Sequence, residues 1–209
     1  MPTKRSPRRE KIDQSATAPL LFVPRRVFFT SGVGRHEQER VATQHAMQAA
    51  GVPRVNLVKI SSVIAPRCQI ISRQEGIRLL RSGAIAFAVI AQGMTKEPHQ
   101  RVTPAIAWCK PDNEDETGFI AEVEEQNANG LSEKAAEDRV GEEAVILQAA
   151  HFGVKVNAKR LWEGRGRSRS VRIGGKRCRV GSISASVVGA ESEEGEEEYS
   201  TAVVLAIYL

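Results

Sequence analysis

The chain has 209 residues, 41% of them hydrophobic and 26% charged, with a net charge of +5. That usage is ordinary for a globular domain and excludes a collagen, a wholly disordered chain and a coiled coil. No apolar run approaches 18 residues, so no membrane-spanning helix is expected, and 5% aromatics offer little for a base-stacking RNA platform.

Residues 1–22 carry Pro, Ser, Thr and charges without an apolar period and read as a disordered basic tail. Val27-Phe28-Phe29-Thr30 reads as a first strand, ended by a turn at Ser31-Gly32-Val33-Gly34. A helix follows from Glu37 to Ala50, with Ala42, Ala46, Ala49 and Ala50 on one face and Gly51 as its stop. Val55–Val63 is apolar and β-branched and predicts one strand. Gln74–Arg81 predicts a short helix and Ala84–Ala91 a buried strand. Val102–Cys109 and Gly118–Val123 predict two more strands joined by a polar turn.

The spacing of Ala136, Val140, Ala144 and Leu147 predicts a helix over Ser132–His151, with Ser132 as N-cap. A basic stretch, 155–180, holds ten Lys and Arg and one acid. Gly174-Gly175 predicts a turn between short strands at Val171–Ile173 and Arg177–Val180. Val187-Val188 and Thr201–Leu209 close the chain as strands, the last apolar on both faces and so covered on both. Strands outnumber helices, which predicts a layered α/β (α+β) domain.

Cys68, Cys109 and Cys178 are odd in number and scattered, which predicts free thiols in a reducing, cytoplasmic setting rather than a disulfide frame. The apolar run Pro19–Pro24 is too short for a signal peptide core. Four histidines show no metal-binding spacing, so no metal is expected. Residues 1–26 and 155–180 are basic, and residues 191–198 hold six Glu. Basic blocks raise the possibility of nucleic acid, with Arg165–Ser170 as the best segment. Without interleaved aromatics the plainer reading is a solvated tail and loop.

Three stretches could carry chemistry. The Ser31–Gly34 loop between strand and helix could cradle a phosphate, but it lacks a third glycine or a Walker lysine, so a tight turn is the simpler reading. Acids cluster at Glu122, Glu124 and Glu125, where Glu122 shares a strand face with Ile120 and could be a general acid of raised pKa. Glu124 and Glu125 fit a strand end turning into solvent. Two adjacent hydroxyls, Ser61 and Ser62, interrupt an apolar strand, where each needs a partner.

The ordered set Phe28–Gly34, Ala50-Gly51-Val52, Asn56-Leu57-Val58-Lys59-Ile60-Ser61-Ser62, Glu75-Gly76, Glu97-Pro98, Ala105-Ile106-Ala107 and Gly118-Phe119-Ile120-Ala121-Glu122 resembles the pyruvoyl-dependent arginine decarboxylases. The likeness runs over residues 26–152 and the final strand. It implies a four-layer α-β-β-α sandwich in one domain, 23–209, assembled as trimers or larger homo-oligomers with active sites between subunits. It also implies a proenzyme that cuts itself into a β chain, 1–61, and an α chain, 62–209. The Ser62 hydroxyl would attack the Ser61 carbonyl, and elimination and hydrolysis would leave a pyruvoyl group at position 62. That group, in place of pyridoxal phosphate, would form a Schiff base with the amino-acid substrate, arginine, and accept electrons as carbon dioxide leaves to give agmatine.

By the same resemblance Glu122 is the proton donor and Asn56 lies near the cleavage bond and the substrate. Gln44 stands where the family carries an acid for the guanidinium, and an amide cannot neutralise that charge. A decarboxylase of another amino acid is therefore the first alternative, and a non-catalytic basic nucleic-acid-binding protein the second. The stretch 155–180 reads as a basic insertion before the last strands.

Overall fold

The structure is a computed structural model. It describes residues 22–124, 130–162, 168–190 and 198–209. The expected tail up to residue 21, Glu125, half of Arg165–Ser170 and the Glu run at 191–197 lie outside the described residues, and so do the side chains of Ser168 and Arg169.

Period-2 patterning builds two five-stranded sheets. The first is ordered β2 (Asn56–Lys59), β5 (Ile85–Thr95), β12 (Tyr199–Tyr208), β1 (Arg26–His36), β4 (Gln69–Ile70). Its three long strands are antiparallel, and β2 and β4 join its edges in parallel. The second is antiparallel throughout and ordered β3 (Val63–Ile64), β8 (Gly118–Val123), β7 (Ala105–Pro111), β10 (Lys176–Ser184), β9 (Ser168–Ile173). A small ribbon pairs β6 (Arg101–Val102) with β11 (Val187–Val188).

Alternation along β12 shows why the sheets stack. Ala202, Val204, Ala206 and Tyr208 enter the core between the sheets, while Val203, Leu205 and Ile207 face helix α1 (Glu39–Ala49). On β7 and β8, Ile106 and Ile120 join the inter-sheet core, whereas Ala105, Ala107, Ala121 and Val123 meet helix α3 (Glu133–His151). The layers are thus α-β-β-α, the sandwich the family resemblance implies. Two short helices complete the set, α2 (Arg73–Leu79) and α4 (Ala158–Trp162). Ser132 and Ser72 cap α3 and α2 by accepting from the backbone N–H groups of Ala135 and Glu75, each at 3.2 Å.

Four local expectations change. The Ser31–Gly34 turn does not form, because β1 runs unbroken from Arg26 to His36. Its glycines instead let α1 lie close on the sheet. A Cβ at Gly32 would stand 2.2 Å from the Ala46 carbonyl oxygen, and one at Gly34 would stand 2.3 Å from that of Ala42. No phosphate cradle remains. The single strand expected over Val55–Val63 is two strands, β2 and β3, in different sheets. The strand expected over Val102–Cys109 likewise splits into β6 and β7. Ala49 is exposed rather than on the buried face of α1, and Leu147 is part-exposed while Ala136, Val140 and Ala144 are buried.

The basic stretch 155–180 contributes α4 and the β9–β10 hairpin, turning at Gly174-Gly175 as predicted. Val171, Ile173, Cys178 and Val180 add to the core beneath α3. Several of its cations have partners: Lys176 pairs with Glu116 at 2.8 Å, and Arg177 and Arg179 both reach Asp112. No helix among the described residues is long and apolar enough to cross a membrane.

Candidate active site

Residues 60–62 carry the chain from the edge of one sheet to the edge of the other. The Ile60 N–H donates to the Ala88 carbonyl at 3.0 Å, the last bond to the first sheet. The Ile120 N–H donates to the Ser62 carbonyl at 2.9 Å, the first bond to the second. Ser61 lies between them and is exposed. Its carbonyl oxygen accepts the Val63 N–H at 2.9 Å, so a backbone donor already polarises it. The buried Tyr208 hydroxyl donates to the Val63 carbonyl at 3.0 Å and anchors the crossing from below.

The half-buried Ser62 hydroxyl donates to the Glu122 carboxylate, 2.8 Å from Oε2 and 3.1 Å from Oε1. Strand register brings them together, since Glu122 follows Ile120 on the same face of β8 and Ile120 is bonded to Ser62. Burial pushes the Glu122 carboxyl above the ordinary carboxylate range, and neighbouring Glu124 adds to the rise. The Ser62 hydrogen bond and Lys59 oppose it without reversing it. The expectation of a raised-pKa acid at Glu122 therefore has a structural cause.

A cavity of about 560 Å³ opens here, lined by Lys59, Ser62, Glu122, Glu124, Glu143 and Leu147, among others. Glu124 does not simply turn into solvent: it pairs with Lys59 across the cavity rim. Glu143 and Leu147 come from adjacent turns of α3. Sequence reasoning gave no role to Lys59, Tyr208 or Glu143; Lys59 lies inside the Asn56–Ser62 stretch, and no local motif marks the other two.

Asn56 and Gln44 are not brought to Ser62 within one chain. Asn56 begins β2, six residues before Ser62, and its exposed side chain donates to the Gly83 carbonyl at 3.1 Å. Gln44 sits on α1, on the far side of the first sheet, and donates to the Pro53 carbonyl at 2.8 Å. The cysteines are free and buried.

A serine hydroxyl held on a raised-pKa carboxyl, at a backbone crossing between two stacked sheets, defines a site fitted for acyl and proton transfer on the chain itself. The model of the pyruvoyl-dependent arginine decarboxylase family matches residues 26–209, and the chain belongs to that family. It is 34% identical over 144 residues to pyruvoyl-dependent arginine decarboxylase 2 of Methanosarcina acetivorans, covering 69% of this chain and 77% of that one. It is 35% identical over 131 residues to pyruvoyl-dependent arginine decarboxylase 2 of Archaeoglobus fulgidus, covering 63% and 82%. It is 31% identical over 144 residues to the pyruvoyl-dependent arginine decarboxylase of Nitrosopumilus maritimus, covering 69% and 77%.

Proposed function

We propose that this protein is an amino-acid decarboxylase that converts L-arginine to agmatine and carbon dioxide, using a pyruvoyl group made from its own Ser62. The observation that carries the reading is the Ser62–Glu122 hydrogen bond at a backbone crossing that belongs to neither sheet.

The geometry supports self-processing. Glu122 accepts the Ser62 hydroxyl proton as Oγ attacks the Ser61 carbonyl carbon, while the Val63 N–H steadies the oxygen that gains charge. The Ser61–Ser62 amide becomes an ester and frees the Ser62 amine. Loss of the Ser62 α-proton expels Ser61 as a carboxylate and leaves dehydroalanine. One water then replaces the nitrogen, which departs as ammonia. The products are a β chain, 1–61, and an α chain, 62–209.

Once formed, the pyruvoyl group supplies a ketone for the substrate amine and an electron sink for decarboxylation. The chain's own residues hold and protonate. Glu122, already beside position 62, returns a proton to the substrate carbon, and burial keeps it protonated to higher pH than an exposed glutamate. Asn56 and Gln44 stand apart from Ser62 within one chain, which supports sites completed by a second copy in a trimer or larger assembly. Exposed apolar residues Ile85 and Val63 lie on strands at this edge of the fold and suit such burial. Free buried thiols fit a cytoplasmic setting.

Carbon dioxide release from a panel of amino acids tests the reading. Preference for arginine is expected, and turnover of another amino acid in its place would contradict it.

A further inference from the structure

We propose that Glu143 is the specificity-determining carboxylate of the site, taking the substrate guanidinium that the amide of Gln44 cannot neutralise; the proposal rests on the arginine decarboxylase reading above. Among the described residues, the polar lining of the cavity comprises three carboxylates and one ammonium besides Ser62. Lys59 is engaged by Glu124. Glu122 is engaged by Ser62. Glu143 has no hydrogen-bond or ion-pair partner among the described residues, and it stands exposed on α3 with its side chain on the same cavity.

An unpaired carboxylate among like charges is stabilised by taking up a cation. Its planar two-oxygen face matches a guanidinium in a paired, charge-assisted hydrogen bond. Leu147, one turn further along α3, supplies apolar wall for the methylenes of a long side chain. The amide of Gln44, donating to the Pro53 carbonyl within one chain, brings no charge to the guanidinium even where a second copy presents it. The ligand class is an α-amino acid with a positively charged, planar side-chain terminus.

Glu143 also lies close enough to Glu122 to raise its proton affinity, so the test must separate recognition from proton supply. The self-processed full-length protein and its Glu143→Gln and Glu143→Asp variants are assayed with L-arginine. L-Citrulline, the neutral isostere, is measured as a competitive inhibitor. Glu143→Gln is expected to raise KM for arginine about ten- to a hundredfold, the worth of one hydrogen bond to a charged group. The Ki of citrulline and the kcat for arginine are expected to stay within about threefold, and Glu143→Asp to recover most of the affinity. An unchanged KM, an equal weakening of arginine and citrulline, or a fall confined to kcat would overturn the proposal. Arginine turnover with an unchanged KM in Glu143→Gln overturns this inference alone. No turnover of arginine by the cleaved wild-type protein overturns the function and the inference together. Glu143 is exposed, so folding of the variants is expected to be intact and is checked by thermal melting.

Discussion

The Ser62 hydroxyl lies 2.8 Å from Oε2 of Glu122, although 60 residues of chain separate them. Neither residue is placed by its immediate neighbours. Ser62 is fixed by the last bond to one sheet and the first to the other, and Glu122 by its register on β8. Substituting Ser62→Ala removes the proposed nucleophile without removing any core side chain. The expected product is a folded, uncut chain without decarboxylase activity, read by denaturing electrophoresis and carbon dioxide release.

In the proposed mechanism Glu122 carries opposite protonation demands in the two reactions. As a base toward Ser62 it must be ionised, and as a donor to the substrate it must be protonated. Burial disfavours the carboxylate and so moves its titration upward. Cleavage of the precursor is therefore expected to quicken as pH rises through that titration, and kcat of the cleaved enzyme to fall over the same window. Glu122→Gln is expected to lower kcat by about 10²–10⁴ and to abolish both dependences. Parallel pH profiles of cleavage and turnover check this.

Tyr208 holds the crossing through one hydroxyl. Tyr208→Phe keeps the buried ring but leaves the Val63 carbonyl without that donor. A loss of about 0.5–1.5 kcal/mol is expected, the net worth of one hydrogen bond to a part-buried acceptor. Because Val63 also donates to the Ser61 carbonyl, cleavage is expected to slow more than turnover of the enzyme once cleaved. Denaturant melts and a cleavage time course separate the two effects.

Gly32 is predicted to be intolerant for a reason unrelated to chemistry. Its missing Cβ is the space into which the α1 backbone packs, and Ala50 N would stand 2.4 Å from a Cβ there. Gly32→Ala is expected to cost about 3 kcal/mol or more by overpacking, lowering Tm by about 6–12 °C for a chain of this size. Differential scanning calorimetry of the Ser62→Ala precursor and its Gly32→Ala derivative measures it without interference from cleavage.

Much of this fold was readable from period and caps. β8 forms over the predicted Gly118–Val123, and α3 begins after the predicted Ser132 cap. The two-sided burial of β12 followed from apolar residues on both its faces. The failures share one cause. Val55–Val63 looks continuous because each residue suits a strand, and only pairing with β5 on one side and β8 on the other divides it. Gly32 and Gly34 look like a turn because glycine serves both loops and close helix contact, and only the position of α1 decides between them. At the site, Ser61, Ser62 and Glu122 stood out by residue type within apolar strands, and the resemblance gave them roles. Lys59, Glu143 and Tyr208 did not, because their roles arise where elements distant in sequence meet.

The central claim is that the chain cuts itself between Ser61 and Ser62 and makes its own cofactor there. Intact-mass analysis of the purified protein tests it most directly. The expected spectrum shows two chains, residues 1–61 and 62–209, the larger one lighter by one ammonia than a chain beginning with serine. A single uncut chain of 209 residues with Ser62 intact, in a preparation that still decarboxylates arginine, would contradict it.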